Sequence, residues 1–194
     1  MGIGSLRDGL ERGEGAKLVG LGDSLTYGWM VSRGYYDRFV DWLEDRFGGA
    51  VLESRNEGVP GDTSRGGLYR LERIMTRSPD LVVVQFGIND LWCSVPVSAF
   101  ETNLREIVAR IGDGGAIAVL VTSCPLPDDS SRPHADPYFD AIRAVAQRAR
   151  APIADTERAW RESAALDSMR LGDGVHPDDR GHELMASALR ALFE

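Results

Sequence analysis

The stretch KLVGLGDSLTY, Lys17 to Tyr27, decides the fold. An apolar run, Leu18, Val19 and Leu21, ends in a glycine, an acid and a serine. That pattern predicts a buried strand delivering a hydroxyl to the edge of a sheet. The rest of the chain can then be asked what it supplies to a serine placed there.

Working outward, residues 34–47 (GYYDRFVDWLEDRF) put Tyr36, Phe39, Val40, Leu43 and Phe47 at helical spacing, with Asp37, Asp41, Glu44 and Asp45 facing water. Gly48-Gly49 ends that helix, and Ala50–Asn56 predicts a more polar strand. GVPGDTS follows as a loop, then a helix over 65–76 with Leu68, Leu71 and Met75 inward, capped from Asp62, Thr63 or Ser64. LVVVQF, Leu81–Phe86, is apolar on both faces, as a central parallel strand is. It runs into Gly87-Ile88-Asn89-Asp90, a helix from Val97 to Ile111 and a strand Ala116–Val121. Ser123–Pro137 carries four prolines and reads as a long loop shaping a pocket wall. Beyond it the pattern predicts a helix over 138–150, a short edge strand Pro152–Asp155, a helix over 157–166, and a last helix over 180–192.

Five strands alternating with helices predict a three-layer α/β/α fold: a five-stranded parallel sheet with right-handed crossovers and helices on both faces. With 194 residues and 43% hydrophobic content, the expectation is a single domain spanning 1–194, with 1–15 as a polar extension. In such a sheet ligands bind outside the carboxyl ends of the strands, where Ser24, Gly61, Asn89 and the loop from Cys124 to His134 all fall.

The net charge of -8, without a basic run, argues against nucleic acid or an anionic membrane as partner and favours a small-molecule substrate. No apolar segment reaches the ~20 residues that span a bilayer. The polar, glycine-rich N-terminus lacks a signal-peptide pattern, so the expected location is cytoplasmic. Cys93 and Cys124 form no metal cluster or disulfide framework and are both expected as buried small residues near strand ends.

A serine hydroxyl is a weak nucleophile unless a base takes its proton as it attacks. Of the three histidines, His182 lies within the last helix pattern and reads as structural or solvent-facing, and His134 as surface or substrate-contacting. His176 follows Asp173 by three residues in DGVH. This spacing lets a carboxylate curl back onto the imidazole nitrogen that faces away from a serine. Alone, such a pair is more often a loop ion pair or a helix cap. Donors for an oxyanion are available at three strand ends: the Ser24 and Gly61 backbone N–H groups and the Asn89 side-chain amide. Singly, Gly61 and Asn89 read as turn residues.

Taken together, GDSL at 22–25, N-x-G-x-x-G at Asn56–Gly61, G-x-N-D at 87–90 and D-x-x-H at 173–176 resemble, in order and spacing, the four blocks of the SGNH hydrolases, also called GDSL esterases/lipases. GDTSRGGLYRL is similar to the bacterial thioesterase I/lysophospholipase branch. The resemblance covers about residues 17–185. It implies Ser24 as nucleophile, His176 as base, Asp173 as its orienting acid, and Ser24, Gly61 and Asn89 as oxyanion hole. It also implies a flavodoxin-like five-stranded sheet and no metal or organic cofactor.

Competing readings fare worse. Leu25 stands where a dinucleotide fingerprint needs its third glycine, and Asp23 would repel a pyrophosphate. Thr26 occupies the last position of G-x-S-x-G, which disfavours a standard α/β-hydrolase elbow. The expected reaction is cleavage of short-to-medium acyl esters or thioesters. Deacetylation of a carbohydrate on the same scaffold is the alternative, and a non-catalytic ligand-binding domain is third. Tyr27, Trp29, Trp92 and His134 are candidate substrate contacts, whereas Met30 and Val95 read better as core.

Overall fold

The computed structural model describes residues 2–126, 132–163 and 168–194. The strand expected at Lys17 is β1, Ala16–Gly22. It is joined by β2 (Val51–Gly58), β3 (Leu81–Gln85), β4 (Ile117–Val121) and β5 (Ile153–Ala154) in a parallel sheet of order β2-β1-β3-β4-β5. Every residue of β3 and β4 is buried, as in strands covered on both faces. The helices are α1 (Ile3–Glu11), α2 (Ser24–Tyr27), α3 (Tyr35–Phe47), α4 (Ser64–Met75), α5 (Ile88–Trp92), α6 (Val97–Asp113), α7 (Arg132–Ala149), α8 (Thr156–Glu162) and α9 (Asp179–Arg190). They pack in two groups, α4 with α6 and α6 with α7, and α3 with α9 and α9 with α8. The expected α/β architecture and its five strands are present.

The sheet register matters most for the site. Gly58 pairs with Gly22, Gly22 with Gln85, Gln85 with Val121 and Val121 with Ala154. One line across the sheet therefore ends all five strands, and the residues just after that line share one edge. Two glycines there are fixed by space. A Cβ on Gly22 would lie 2.0 Å from Thr26 Oγ1, and one on Gly58 would lie 2.2 Å from the Tyr27 backbone nitrogen. Both strand ends are thus pressed against α2.

Several expectations change. The polar extension at 1–15 contains α1, whose Leu6 and Leu10 are buried in the core cluster, because apolar residues one and two turns apart still make a stripe among glycines. The loop expected over 123–137 ends early, since α7 starts at Arg132; residues 127–131 lie outside the described residues. Pro133 sits in the first turn of α7, where its missing N–H costs nothing, and buried Ala135, Tyr138, Phe139 and Ile142 extend the apolar face back past Pro137. The helix expected over 157–166 closes at Glu162 with Ser163 extended, and 164–167 lie outside the described residues. Met30 is 75% exposed rather than core, and Cys93 is exposed rather than buried. Val95 is partly buried against the core, and Cys124 is buried as expected.

The join between α3 and α9 is polar at its centre. The Tyr35 N–H donates to His182 Nδ1 at 3.1 Å and the two rings stack at 6.4 Å. His182 is fully buried, so it is structural, and its Nε2 has no hydrogen-bond partner among the described residues. Burial, helped by the nearby Arg38 charge, lowers its pKa from 6.5 to about 4.

Two predictions follow from this packing. Gly22→Ala and Gly58→Ala should each lower unfolding free energy by about 1–3 kcal/mol; an unchanged urea midpoint in either would refute the close contact. His182 is harder to protonate folded than unfolded, so its contribution is complete above pH 6.5 and lost as pH falls towards 4. The stability gap between the parent and His182→Gln should therefore shrink by roughly 3 kcal/mol between pH 7 and pH 4. Urea titrations at both pH values that give one constant gap would overturn this.

Candidate active site

The nucleophile candidate stands on a capped turn. β1 stops at Gly22, and Asp23 accepts the Leu25 N–H at 2.9 Å, acting as N-cap of α2. The second Asp23 oxygen accepts from Gln85 Nε2 at 3.2 Å, which also donates to Ser123 Oγ at 2.9 Å. Thr26 Oγ1 donates to Gln85 Oε1 at 3.1 Å and lies 2.8 Å from the Tyr35 hydroxyl. All of these side chains are buried, and burial pushes the Asp23 carboxyl up to about 7 against the opposing bonds from Leu25 and Gln85. From the β2 side, Asn56 Nδ2 donates to the Thr26 carbonyl at 2.8 Å while its Oδ1 accepts the Gly58 N–H at 3.0 Å.

Ser24 Oγ lies 2.9 Å from His176 Nε2, and His176 Nδ1 lies 2.7 Å from Asp173 Oδ2. The loop from Met169 to Asp178 holds the last two in place. The Leu171 N–H donates to the His176 carbonyl at 2.8 Å, and the Asp178 N–H to the Met169 carbonyl at 3.0 Å. Asp173 Oδ1 accepts the N–H groups of Val175 (2.9 Å) and His176 (3.0 Å). Partial burial works against the Asp173 carboxylate, but these backbone donors and the imidazole outweigh it and hold its pKa below the ordinary value. An anionic Asp173 fixes the Nδ1–H tautomer and leaves Nε2 free to accept the Ser24 proton. Cys124 Sγ donates to the Val175 carbonyl at 3.5 Å, tying this loop to the end of β4; burial pushes that thiol up to about 12.

Three donors stand near the same edge. The Ser24 and Gly61 N–H groups have no hydrogen-bond partner among the described residues. Gly61 has φ +79°, and an added Cβ there would meet nothing within 4 Å. The positive φ there favours glycine. Asn89 lies in the first turn of α5 rather than in a loop. Its Nδ2 donates one hydrogen to the Asp62 carbonyl at 3.0 Å, which couples it to the Gly61 loop and leaves the second hydrogen available. Asp90, fully buried, accepts Ser64 Oγ–H at 2.6 Å and the Ser64 N–H at 3.0 Å, and Asn103 Nδ2 supports Ser64 Oγ at 2.9 Å. Burial raises the Asp90 pKa despite those Ser64 bonds.

Among the substrate-contact candidates, the Trp29 ring lies 6.2 Å from the His176 ring and 6.3 Å from Tyr27. Tyr27, Trp29 and Met30 are all exposed beside the serine. Trp92 is exposed at the end of α5, the helix that carries Asn89. His134 is exposed in the first turn of α7, and the structure gives it no contact with the Ser24–His176 pair. Sequence reasoning missed Gln85, Asp90 and Asn56 as supports. A glutamine closing the run LVVV was the one legible sign of a polar layer beneath the serine. Among the described residues, no group of three or more His, Cys, Asp or Glu side chains is placed to hold a metal ion.

A parallel sheet with a serine, a histidine and an aspartate hydrogen-bonded in series at its carboxyl edge has the arrangement of a serine hydrolase. The chain belongs to the GDSL-like lipase/acylhydrolase family, which it matches over residues 21–184. It is 26% identical over 171 residues to an arylesterase of Vibrio mimicus, covering 83% of this chain and 80% of that protein. It is 26% identical over 204 residues to an acetylxylan esterase of Geobacillus stearothermophilus, covering 91% of this chain and 93% of the relative. The crystal structure of Axe2, an acetylxylan esterase from Geobacillus stearothermophilus, superposes with a TM-score of 0.82 at 24% identity over 94% of this chain and 96% of the other, which shows the shared fold.

Removing one oxyanion donor costs about 10²–10³ in turnover. If Asn89 is an oxyanion donor, Asn89→Ala should lose kcat in that range on an activated ester with KM nearly unchanged, since such a bond strengthens in the transition state. A kcat within twofold of the parent would remove Asn89 from the hole.

Proposed function

We propose that Ser24, His176 and Asp173 are the catalytic triad of a one-domain esterase, 1–194, and that Ser24, Gly61 and Asn89 supply its oxyanion hole. The observation that carries this reading is the unbroken chain Ser24 Oγ to His176 Nε2 (2.9 Å) and His176 Nδ1 to Asp173 Oδ2 (2.7 Å). Ser24 Oγ attacks the ester carbonyl carbon as its proton passes to His176 Nε2. The carbonyl oxygen becomes an oxyanion facing the Ser24 and Gly61 N–H groups and the free Asn89 amide hydrogen. Collapse expels the alcohol or thiol, which takes the proton from His176, and an acyl-Ser24 remains. A water then gives its proton to His176, attacks the acyl carbon, and releases the acid as Ser24 recovers its hydrogen. Asp173 stays ionised throughout and stabilises the imidazolium at both steps.

Short-to-medium acyl esters and thioesters are the favoured substrates. The exposed rings of Tyr27 and Trp29 support this, because they offer flat, open contact area beside the serine, and Trp92 is exposed on the helix that carries Asn89. Carbohydrate O-acetyl ester cleavage is the second reading, favoured by the relation to an acetylxylan esterase over 91% of the chain and by the same exposed rings. The partner is a small molecule; among the described residues no helix is long and apolar enough to cross a membrane.

Ser24→Ala should lower turnover of 4-nitrophenyl acetate by at least about 10³-fold, and a fluorophosphonate should label Ser24 in the parent alone. Parent-like turnover in the variant, or label on another serine, would refute the triad. A kcat/KM series over acyl length beside acetylated xylose oligomers separates the two substrate readings: preference for the saccharides selects the second.

A further inference from the structure

Arg70 plays no part in the chemistry above, yet its guanidinium lies at the junction of the loops that perform it. It projects from α4, is 14% exposed, and makes three charge-assisted bonds to three separate segments. Its Nη2 donates to the Gly22 carbonyl at 3.0 Å, two residues before Ser24. Its Nη1 donates to the Glu57 carbonyl at 2.7 Å, at the end of β2 leading into Gly61. Its Nε donates to Asp62 Oδ2 at 2.9 Å. Asp62 in turn accepts the Asn89 amide on its backbone carbonyl and the Thr63 N–H on Oδ1. The sequence also clears room for this residue: a Cβ on Gly66 would fall 1.8 Å from Asp62 Oδ1.

Two of the Arg70 acceptors are backbone carbonyls at strand ends, and that of Gly22 also accepts the Val59 N–H at 3.0 Å. A planar fork with fixed donor directions can satisfy all three acceptors at once, and an ammonium on a flexible stem cannot. One rigid group therefore sets the distances among the serine turn, the Gly61 loop and, through Asp62, the Asn89 amide. Displacement of about 1 Å among reacting groups can cost roughly 10² in rate.

We propose that Arg70 is a positioning residue for ester hydrolysis: it clamps the ends of β1 and β2 to the Asp62 turn and so holds the oxyanion donors against Ser24. This rests on the triad and hole proposed above. The neighbouring Arg73 is the control, because it reaches the Glu57 carboxylate at 2.7 Å from an exposed position and touches none of the three loops' carbonyls.

The experiment compares Arg70→Gln, Arg70→Lys and Arg73→Gln by steady-state kinetics on 4-nitrophenyl acetate, with rates expressed per folded molecule from parallel urea titrations, and by hydrogen exchange of the peptides spanning 20–27 and 57–63. Arg70→Gln should lose about 10²-fold in kcat with KM within about threefold, with faster exchange in both peptides; Arg70→Lys should recover part of each, and Arg73→Gln should match the parent. Unchanged exchange in Arg70→Gln overturns the clamp. Faster exchange with parent-like kcat per folded molecule, or an equal loss in Arg73→Gln, overturns the positioning role. Ser24→Ala in the same series separates this from the underlying reading: turnover retained there refutes the nucleophile, whatever Arg70 does, and the exchange result still decides the clamp.

Discussion

The hydrogen bond between Ser24 Oγ and His176 Nε2 joins two residues 152 positions apart, and most of the structure serves to keep it at 2.9 Å. Neither residue belongs to a long rigid element. Ser24 opens a four-residue helix, and His176 sits in the loop before α9. Each end is therefore tethered separately. On the serine side the tethers are the Asp23 cap, the Thr26–Gln85 bond and the Asn56 amide. On the histidine side they are the Asp173 turn, Cys124, and α9 itself, which is fixed to α3 by His182 on Tyr35 and by Arg38 on Asp179 and Glu183. Tyr35 also touches Thr26, so α3 links the two halves directly.

Beneath the serine lies a layer of buried polar groups that an apolar core would not need. Asp23, Gln85, Ser123 and Thr26 form one cluster; Asp90 and Ser64 form another below the Gly61 loop. Burying such groups is costly unless each is paired, and within a low-dielectric interior each pairing is strongly directional. The arrangement fixes one geometry in a way that leucines in the same volume would not. Burial raises the Asp23 carboxyl to about 7, well above the ordinary carboxylate range, beside Ser24.

Legibility in the sequence followed the range of the interactions. β3 could be placed because LVVVQF is apolar on both faces, and α3 because its stripe is long and regular. Ser24, Asp173 and His176 could be named because a four-block pattern carries them, and Asp173–His176 is a contact across three residues. The N-terminal helix and the early start of α7 were hidden by glycine and proline, whose local preference was outweighed by burial of Leu6, Leu10, Tyr138 and Phe139. The supporting roles of Gln85, Asn56 and Arg70 were illegible for a different reason. Gln85 and Asn56 act across the sheet and Arg70 reaches strand ends from α4, on residues 13 to 62 positions away, and no periodicity encodes that.

The same geometry bears on where the oxyanion stabilisation comes from. Ser24 and Asn89 both lie in the first turn of a helix, which invites an appeal to helix dipoles. But α2 has four residues and α5 has five, too few peptide units to sum to a substantial macrodipole. The value of the position at Ser24 is instead that a first turn leaves its N–H groups without internal partners, whereas Asn89 offers its side-chain amide. The free Ser24 N–H follows from that. At Gly61 the N–H is likewise unbonded among the described residues without a helix, at the centre of the turn that the Asp62 N–H closes onto the Val59 carbonyl. The proposed hole thus combines two backbone N–H groups left unbonded by conformation with the Asn89 side-chain amide, and its strength would depend on how firmly the strand ends are held to one another.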